Sequence, residues 1–440
     1  MNNIAILSNK IYIKPDSQEY AIHLKDSTTY KFIDEFKSKL LGRNISNTVK
    51  TYSLATNGIL TLPIGRQELI KSYYTIQDER TIHPIIFPKP TSLYPLRSSQ
   101  REVLDNVTDN CLINAPVSWG KTFTALHIAA KLAQKTLVIT HTTILRAQWE
   151  AEVKKLFNIS PGIIGGGEII NLEKPIVISN VQTLIKFIDK VSSMFGTIIV
   201  DECHHTPSST FSEILSKLKA RYKIGLSATL LRKDGQHILF KDYFSEKVFR
   251  PEVENSVSPK VVLVSTNISI PPAAHWAYRV TELCSLESYR DIVAKLAVRM
   301  SGRGYRVLVV GERVDFLASV SRRCGDTSVC ITGETSDYSE RNNIIDKIKS
   351  GEKTILCGSR SIFSEGISLN ELSCLILAAP IANEINLIQL IGRIQRVCEG
   401  KKEPVVIDLQ LRDNTSKKQQ KARLEYYLRM NYKVYSLPNF

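Results

Sequence analysis

The sequence predicts an α/β protein: two consecutive parallel sheets covered by helices, preceded by a small α+β segment. Three observations carry that reading. Short, continuous apolar runs recur from about residue 93, the spacers between them have helical periodicity, and the same alternation starts again near residue 260. Runs with no polar face suit strands buried on both sides, and such strands belong to parallel sheets.

Residues 1–92 read as a module of their own. Ile4–Leu7 and Ile11–Ile13 are short β-type runs separated by Ser8-Asn9-Lys10, a hairpin-like signal. Thr29 to Lys39 predicts a helix with Phe32, Ile33 and Phe36 on one stripe. Pro84, Pro88 and Pro90 then punctuate a linker.

Residues 93–250 form the first α/β set. Cys111–Ala115, Thr136–Thr140, Ile176–Ile178 and Thr197–Val200 are its strand candidates, with helices over Thr122–Gln134 and Ile144–Phe157. The second set, residues 251–440, offers Val261–Val264, Arg306–Val310, Ser328–Ile331, Thr354–Cys357, Leu375–Leu377 and Val405–Ile407. The join falls between residues 245 and 260. The tail from Arg412 carries 7 Lys/Arg against 2 Asp/Glu, with Tyr426, Tyr427, Tyr432 and Tyr435 interleaved. That composition suits nucleic-acid contact and suits a docked helix with packed tyrosines equally well. His275, Trp276 and Tyr278 leave a similar choice between a strand-separating element and a buried aromatic cluster.

Composition narrows the class of protein. The 440 residues are 43% hydrophobic and 23% charged, as in ordinary globular chains. A net charge of +15 calls for a polyanionic partner, nucleic acid before membrane. The eight cysteines include no CxxC pair, so neither a zinc ribbon nor a disulfide framework is expected, and a reducing interior is. No apolar run of about 18 residues exists to span a membrane, and the apolar start is too short for a signal peptide.

The sharpest local pattern is Ala115-Pro116-Val117-Ser118-Trp119-Gly120-Lys121-Thr122, which follows a strand candidate and opens a helix. There, backbone N–H groups cradle phosphates, Lys121 supplies positive charge at the β/γ-phosphates, and Thr122 offers a hydroxyl to Mg²⁺. Some 80 residues on, Ile198-Ile199-Val200 runs into Asp201-Glu202. Asp201 would hold the Mg²⁺ shell and Glu202 would polarise the attacking water. Far downstream, Gln389-Leu390-Ile391-Gly392-Arg393-Ile394-Gln395-Arg396 places two arginines three apart. On a helix they share a face, either solvated or aimed at a γ-phosphate.

Taken in order, these segments resemble the superfamily 2 helicases and translocases, and within them the XPB/UvsW-type DNA helicases of phages. The further segments are Leu96-Arg97-Ser98-Ser99-Gln100, Thr140–Trp149, Val181-Gln182-Thr183-Leu184, Gly225-Leu226-Ser227-Ala228-Thr229 with Arg232-Lys233-Asp234-Gly235, and Ser364-Glu365-Gly366-Ile367. The resemblance covers residues 93–410 and is specific for an ATP-driven nucleic-acid motor.

It implies two RecA-like domains with ATP and Mg²⁺ in the cleft between them. Lys121, Asp201, Glu202, Gln389, Arg393 and Arg396 would be catalytic, with Thr122 and Asp201 on the metal. Arg97, Gln100, Ser118, Trp119, Gly120, Glu365 and Gly366 would contact nucleotide, and Ser227 and Thr229 would couple nucleotide state to closure. Strand contacts would fall at Thr142, Arg146, Thr183, Arg232, Gly358 and Ser359. The implied partner is single-stranded or branched DNA, with replication or recombination proteins beside it, in the cytoplasm of a phage-infected bacterium. Three departures stand out: Ala115 replaces the first loop glycine, Trp119 stands where Gly or Ser is usual, and Gly358-Ser359 replaces a common Thr. Residues 1–92 match no named motif and suit a duplex-DNA grip or a scaffold cap.

Overall fold

A computed structural model of the chain describes residues 4–33, 46–117, 119–205, 209–228, 230, 236–252, 257–270, 275–333, 335, 338–360, 362, 369–381 and 383–437. Two compact units result, Met1–Val253 and Glu254–Phe440.

The first unit begins with β1 (Ile4–Leu7) and β2 (Lys10–Ile13), antiparallel with Ile6 opposite Tyr12. Helix α1 (Gln18–Ser27) follows, its N-cap Ser17 hydroxyl accepting from Tyr20 N at 3.1 Å. The expected helix over 29–39 is corrected: Thr29–Ile33 is a strand, β3, paired antiparallel with β4 (Ser46–Lys50). Residues 34–39 of that expectation lie outside the described residues. Thr29, Tyr30, Phe32 and Ile33 are β-branched or aromatic, and the Tyr30 hydroxyl donates to Asp242 Oδ1 at 2.7 Å, a partner 212 residues away. Strands β5 (Ser53–Leu54), β6 (Leu60–Pro63) and β7 (Thr75–Asp78) complete a sheet of order β5-β6-β2-β1-β7.

The rest of the unit contains α2 (Ser98–Asn106), β8 (Cys111–Asn114), α3 (Lys121–Leu132), β9 (Thr136–Thr140), α4 (Thr143–Phe157), β10 (Gly162–Gly165) and β11 (Glu168–Ile170). It continues with β12 (Ile176–Asn180), α5 (Val181–Val191), β13 (Thr197–Val200), α6 (Ser209–Lys217), β14 (Tyr222–Ser227), α7 (Phe240–Tyr243) and β15 (Val248–Phe249). The sheet order is β11-β10-β12-β9-β13-β14-β8-β15, parallel except for the β10–β11 hairpin. Every residue of β9 and β13 is buried, the pattern expected of strands covered on both faces.

Helix α7 also anchors β3 and the segment after β4. Asp242, 2% exposed, accepts from Tyr30 and from Thr51 Oγ1 at 2.6 Å, while Arg66 pairs with Glu246.

The second unit comprises β16 (Lys260–Ser265), α8 (Trp276–Ser285), α9 (Glu287–Gly302), β17 (Val307–Gly311), α10 (Val314–Cys324), β18 (Ser328–Ile331) and α11 (Tyr338–Ser350). Then come β19 (Ile355–Ser359), β20 (Cys374–Leu377), α12 (Glu384–Ile394), β21 (Val405–Gln410), α13 (Asn414–Arg429) and β22 (Lys433–Leu437). Its all-parallel sheet runs β18-β19-β17-β20-β21-β16-β22. The segment opens a pair of helices, α8 and α9, in which Trp276 packs partly buried against the core while His275 and Tyr278 are exposed, so the buried aromatic cluster is corrected. In the tail, Tyr426, Tyr427 and Tyr432 are buried and only Tyr435 of the four is exposed, which decides for a docked helix.

Candidate active site

Strands β13, β14 and β8 are neighbours, and each leads at its C-terminal end into one of the sequence motifs. Ligands of open parallel sheets bind at that edge. The loop after β8 is tied to β14 by Ala115 N donating to Ser227 O at 3.0 Å. Lys121 opens α3 and its Nζ donates to Ala115 O at 3.1 Å, lying across the loop it was expected to serve. Gly120 caps the helix at φ +94°, and a Cβ there would stand 2.6 Å from Gln100 Nε2. Only glycine meets both demands.

Gln100 and Arg97 converge on this loop. Gln100, 3% exposed, donates through Nε2 to Trp119 O at 2.7 Å and accepts at Oε1 from Arg97 N at 3.0 Å; the Arg97 guanidinium donates to the same Trp119 carbonyl. The Trp119 indole is fully buried and donates to Ser99 Oγ at 3.0 Å. The Trp119 side chain therefore turns into the core, and its carbonyl is the group that Gln100 and Arg97 engage. Ser118, Thr229, Arg232, Glu365 and Gly366 lie outside the described residues.

The acidic pair follows β13. Asp201 is 5% exposed, with Oδ1 accepting from Glu202 N at 3.0 Å and Oδ2 from Trp149 Nε1 at 2.8 Å. Burial, then the charge of Glu202, pushes the Asp201 carboxyl above its ordinary range. Burial also acts to raise Glu202, but the hydrogen bond from His204 and the positive charge of Lys121 outweigh it, and its carboxyl is held down. Glu202 adopts φ +47°, uncommon for a residue with a side chain. His204 Nδ1 lies 3.2 Å from Glu202 Oε2 and 3.2 Å from Ser227 Oγ, linking the acid to the end of β14. The expected Mg²⁺ finds suitable donors here. Each Asp201 oxygen keeps a lone pair beyond its single hydrogen bond, and carboxylate and hydroxyl oxygens suit a hard cation that shares its remaining ligands with phosphate and water.

Along the same edge, three of the expected strand contacts of this unit, Thr142, Arg146 and Thr183, lie on neighbouring segments. Thr142 is the N-cap of α4, accepting from Leu145 N at 3.2 Å. Arg146 donates to Asn180 Oδ1 and Glu150 Oε1, both at 3.0 Å, and Thr183 Oγ1 accepts from Gly167 N at 3.4 Å. Gly165 leaves the space for Arg146, since a Cβ there would come within 1.8 Å of its Nη1. Asn180 and Gly165 escape sequence reading because their partners are 34 and 19 positions away. Trp149 escapes it too, although it closes a quoted segment, and so does the bond of His204, two residues past Glu202, to Ser227.

In the second unit, Gly358 and Ser359 end β19, and Gln389, 5% exposed, and half-buried Arg393 lie on α12. The shared helical face of Arg393 and Arg396 is corrected: α12 ends at Ile394, and Arg396, beyond it, donates to Asn370 Oδ1 at 3.2 Å. Burial, partly offset by Glu371, lowers Arg396 to about 10.

Comparison with known proteins bears on this arrangement. Residues 93–232 match the family "Type III restriction enzyme, res subunit", and residues 288–398 match the helicase conserved C-terminal domain. The probable helicase D10 of Escherichia phage T5 is 38% identical over 445 residues, covering 98% of this chain and 96% of that protein. The DNA 3′-5′ translocase XPB2 of Sulfurisphaera tokodaii is 24% identical over 76% of this chain and 85% of its own length. For the ATP-dependent DNA helicase uvsW of Enterobacteria phage T4 the values are 25%, 68% and 64%.

Proposed function

The chain belongs to the superfamily 2 helicases of the XPB/UvsW type, nucleic-acid-dependent ATPases, and from that premise we propose that it works on DNA, unwinding or branch-migrating forks and junctions in replication, recombination or repair. The observation that carries the reading is one sheet edge bearing Lys121, Asp201 with Glu202, Ser227 and the Thr142–Arg146–Thr183 cluster. Phosphate-binding and strand-binding groups on the ends of adjacent strands are what a motor needs to feel one ligand at the site of the other.

In the reaction, loop N–H groups and Lys121 hold the β/γ-phosphates of ATP, and Thr122 and Asp201 would hold Mg²⁺, which would supply positive charge against the charge developing on the phosphates. Glu202 takes up the proton of the attacking water, and His204 relays its position to Ser227. Gln389, Arg393 and Arg396 supply the remaining groups for the γ-phosphate, with Arg396 first released from Asn370. Thr142, Arg146 and Thr183 hold the phosphate backbone beside Arg232, Gly358 and Ser359. The +15 net charge supports a salt-sensitive grip on that backbone.

A second reading, duplex translocation without strand separation, draws on the name of the XPB2 relative. One experiment separates the two. ATP hydrolysis is measured with single-stranded, duplex and forked DNA and with RNA, alongside displacement of a labelled strand from fork and blunt duplex. The proposal expects stimulation by forked DNA with strand displacement. Duplex stimulation without displacement would favour the translocase, and stimulation by RNA alone would end the DNA reading.

A further inference from the structure

Trp149 sits on α4 seven residues, about two helical turns, beyond the N-cap Thr142 and three beyond Arg146. Its indole is 1% exposed, and Nε1 donates to Asp201 Oδ2 at 2.8 Å. A buried indole N–H requires an acceptor, and a backbone carbonyl commonly serves. Here the acceptor is the carboxylate assigned to Mg²⁺, which makes the bond charge-assisted and stronger than one to a neutral oxygen.

The second oxygen of that carboxylate is held independently by Glu202 N at 3.0 Å. The terminal torsion of an aspartate is broad and two-fold, so one hydrogen bond leaves the carboxylate plane free to turn. Two bonds, one from each side, fix it and define where the remaining lone pairs point. Partners that orient a metal ligand in this way typically contribute 10–100-fold to metal affinity.

We propose that Trp149 is a positioning residue for the metal site: it fixes the plane of the Asp201 carboxylate toward nucleotide-bound Mg²⁺. Through it the helix whose first turns carry Thr142 and Arg146 is registered directly on that carboxylate. The inference rests on the assignment of Asp201 as a Mg²⁺ ligand made above.

The test uses the full chain and W149F, which keeps an aromatic ring and removes the donor. ATP affinity is measured with Mg²⁺ and again with excess EDTA, and hydrolysis is titrated with Mg²⁺. The expected result is Mg²⁺-free ATP affinity within about twofold of the parent, with Mg²⁺-supported affinity and the Mg²⁺ midpoint of hydrolysis weakened about tenfold. An unchanged Mg²⁺ midpoint overturns the inference. So does equal weakening of ATP with and without Mg²⁺, the mark of a purely structural tryptophan. A measurement that needs no substitution at 149 covers failure of W149F to fold. The parent has three tryptophans, so its indole N–H resonances can be assigned through W119F and W276F. The Trp149 resonance should move when Mg²⁺ joins bound ADP, and indifference to Mg²⁺ contradicts the proposal. A parent chain whose ATP binding and hydrolysis ignore Mg²⁺ would overturn the active-site reading itself. A Mg²⁺-dependent parent with an indifferent Trp149 overturns this inference alone.

Discussion

Glu202 combines a left-handed backbone, a buried carboxylate and a histidine partner within one residue of the proposed metal ligand. A side chain in that backbone region costs of order 1–3 kcal/mol and persists where the surroundings over-determine it, as they do at catalytic sites. Glu202→Gln keeps shape and loses the base, so ATP should bind while turnover falls by about 10²–10⁴. Lys121→Ala should lose turnover and weaken ATP together. Steady-state hydrolysis beside equilibrium nucleotide binding checks both, and undiminished turnover in either variant would contradict the site.

Lys223 makes a different residue-scale case. It is wholly buried on β14, with Nζ donating to Leu215 O at 2.9 Å near the end of α6, and burial pulls it down to about 7. Because the folded chain binds this proton more weakly than the unfolded one, the penalty is full below pH 7 and relieved as pH rises toward 10.5. Lys223→Met should therefore stabilise the fold by roughly 1–4 kcal/mol below neutrality, with the gain shrinking by pH 9.5. Urea unfolding at pH 6.5 and 9.5 measures it, and an equal gain at both would contradict the linkage.

At the scale of elements, α13 braces β21 and the segment leading into α12. Asp408, 1% exposed, accepts from Arg423 Nε at 2.8 Å and Nη2 at 2.7 Å, and Arg423 Nη1 donates to Ile381 O at 3.0 Å. Removing one partner strands a buried charge. Arg423→Met should destabilise by about 3–5 kcal/mol, and adding Asp408→Leu should restore part of it, since the buried Tyr427 hydroxyl then loses its acceptor at 3.0 Å. Denaturant midpoints of the parent, single and double variants check this, and a double variant no better than the single would contradict it.

These elements also show what the sequence discloses. Thr136–Thr140 and Thr197–Val200 are legible as strands because burial on both faces leaves continuous apolar runs, Leu137–Ile139 and Ile198–Val200. Lys433–Leu437 is a largely exposed edge strand and gives no such signal. Thr29–Ile33 is misread as helix because the partner that fixes it, Asp242, is remote in sequence. The phosphate loop and the acidic pair are legible because their chemistry demands fixed residues at short spacing. The bonds from Trp149 to Asp201 and from His204 to Ser227 join positions 52 and 23 apart, and only the folded sheet brings them together. Strand order is hidden for a related reason, since all the apolar runs look alike.

At the scale of the whole molecule, the proposed function requires Lys121 and Glu202 of the first unit and Arg393 of the second to act on one ATP. The chain's net charge of +15 predicts that forked-DNA binding weakens steeply and linearly on a log–log plot against salt. Removing one phosphate contact, as in Arg146→Gln, should lower that slope by about one. Binding titrations at several salt concentrations test it, and an unchanged slope would remove Arg146 from the strand contacts.

Arg393→Ala asks whether the second unit supplies a group for hydrolysis. Single-turnover ATP hydrolysis is followed with forked DNA at saturating Mg²⁺, with nucleotide affinity measured in parallel. ATP affinity should stay within a few-fold of the parent while hydrolysis falls by roughly 10³ or more. Hydrolysis at the parental rate would contradict it.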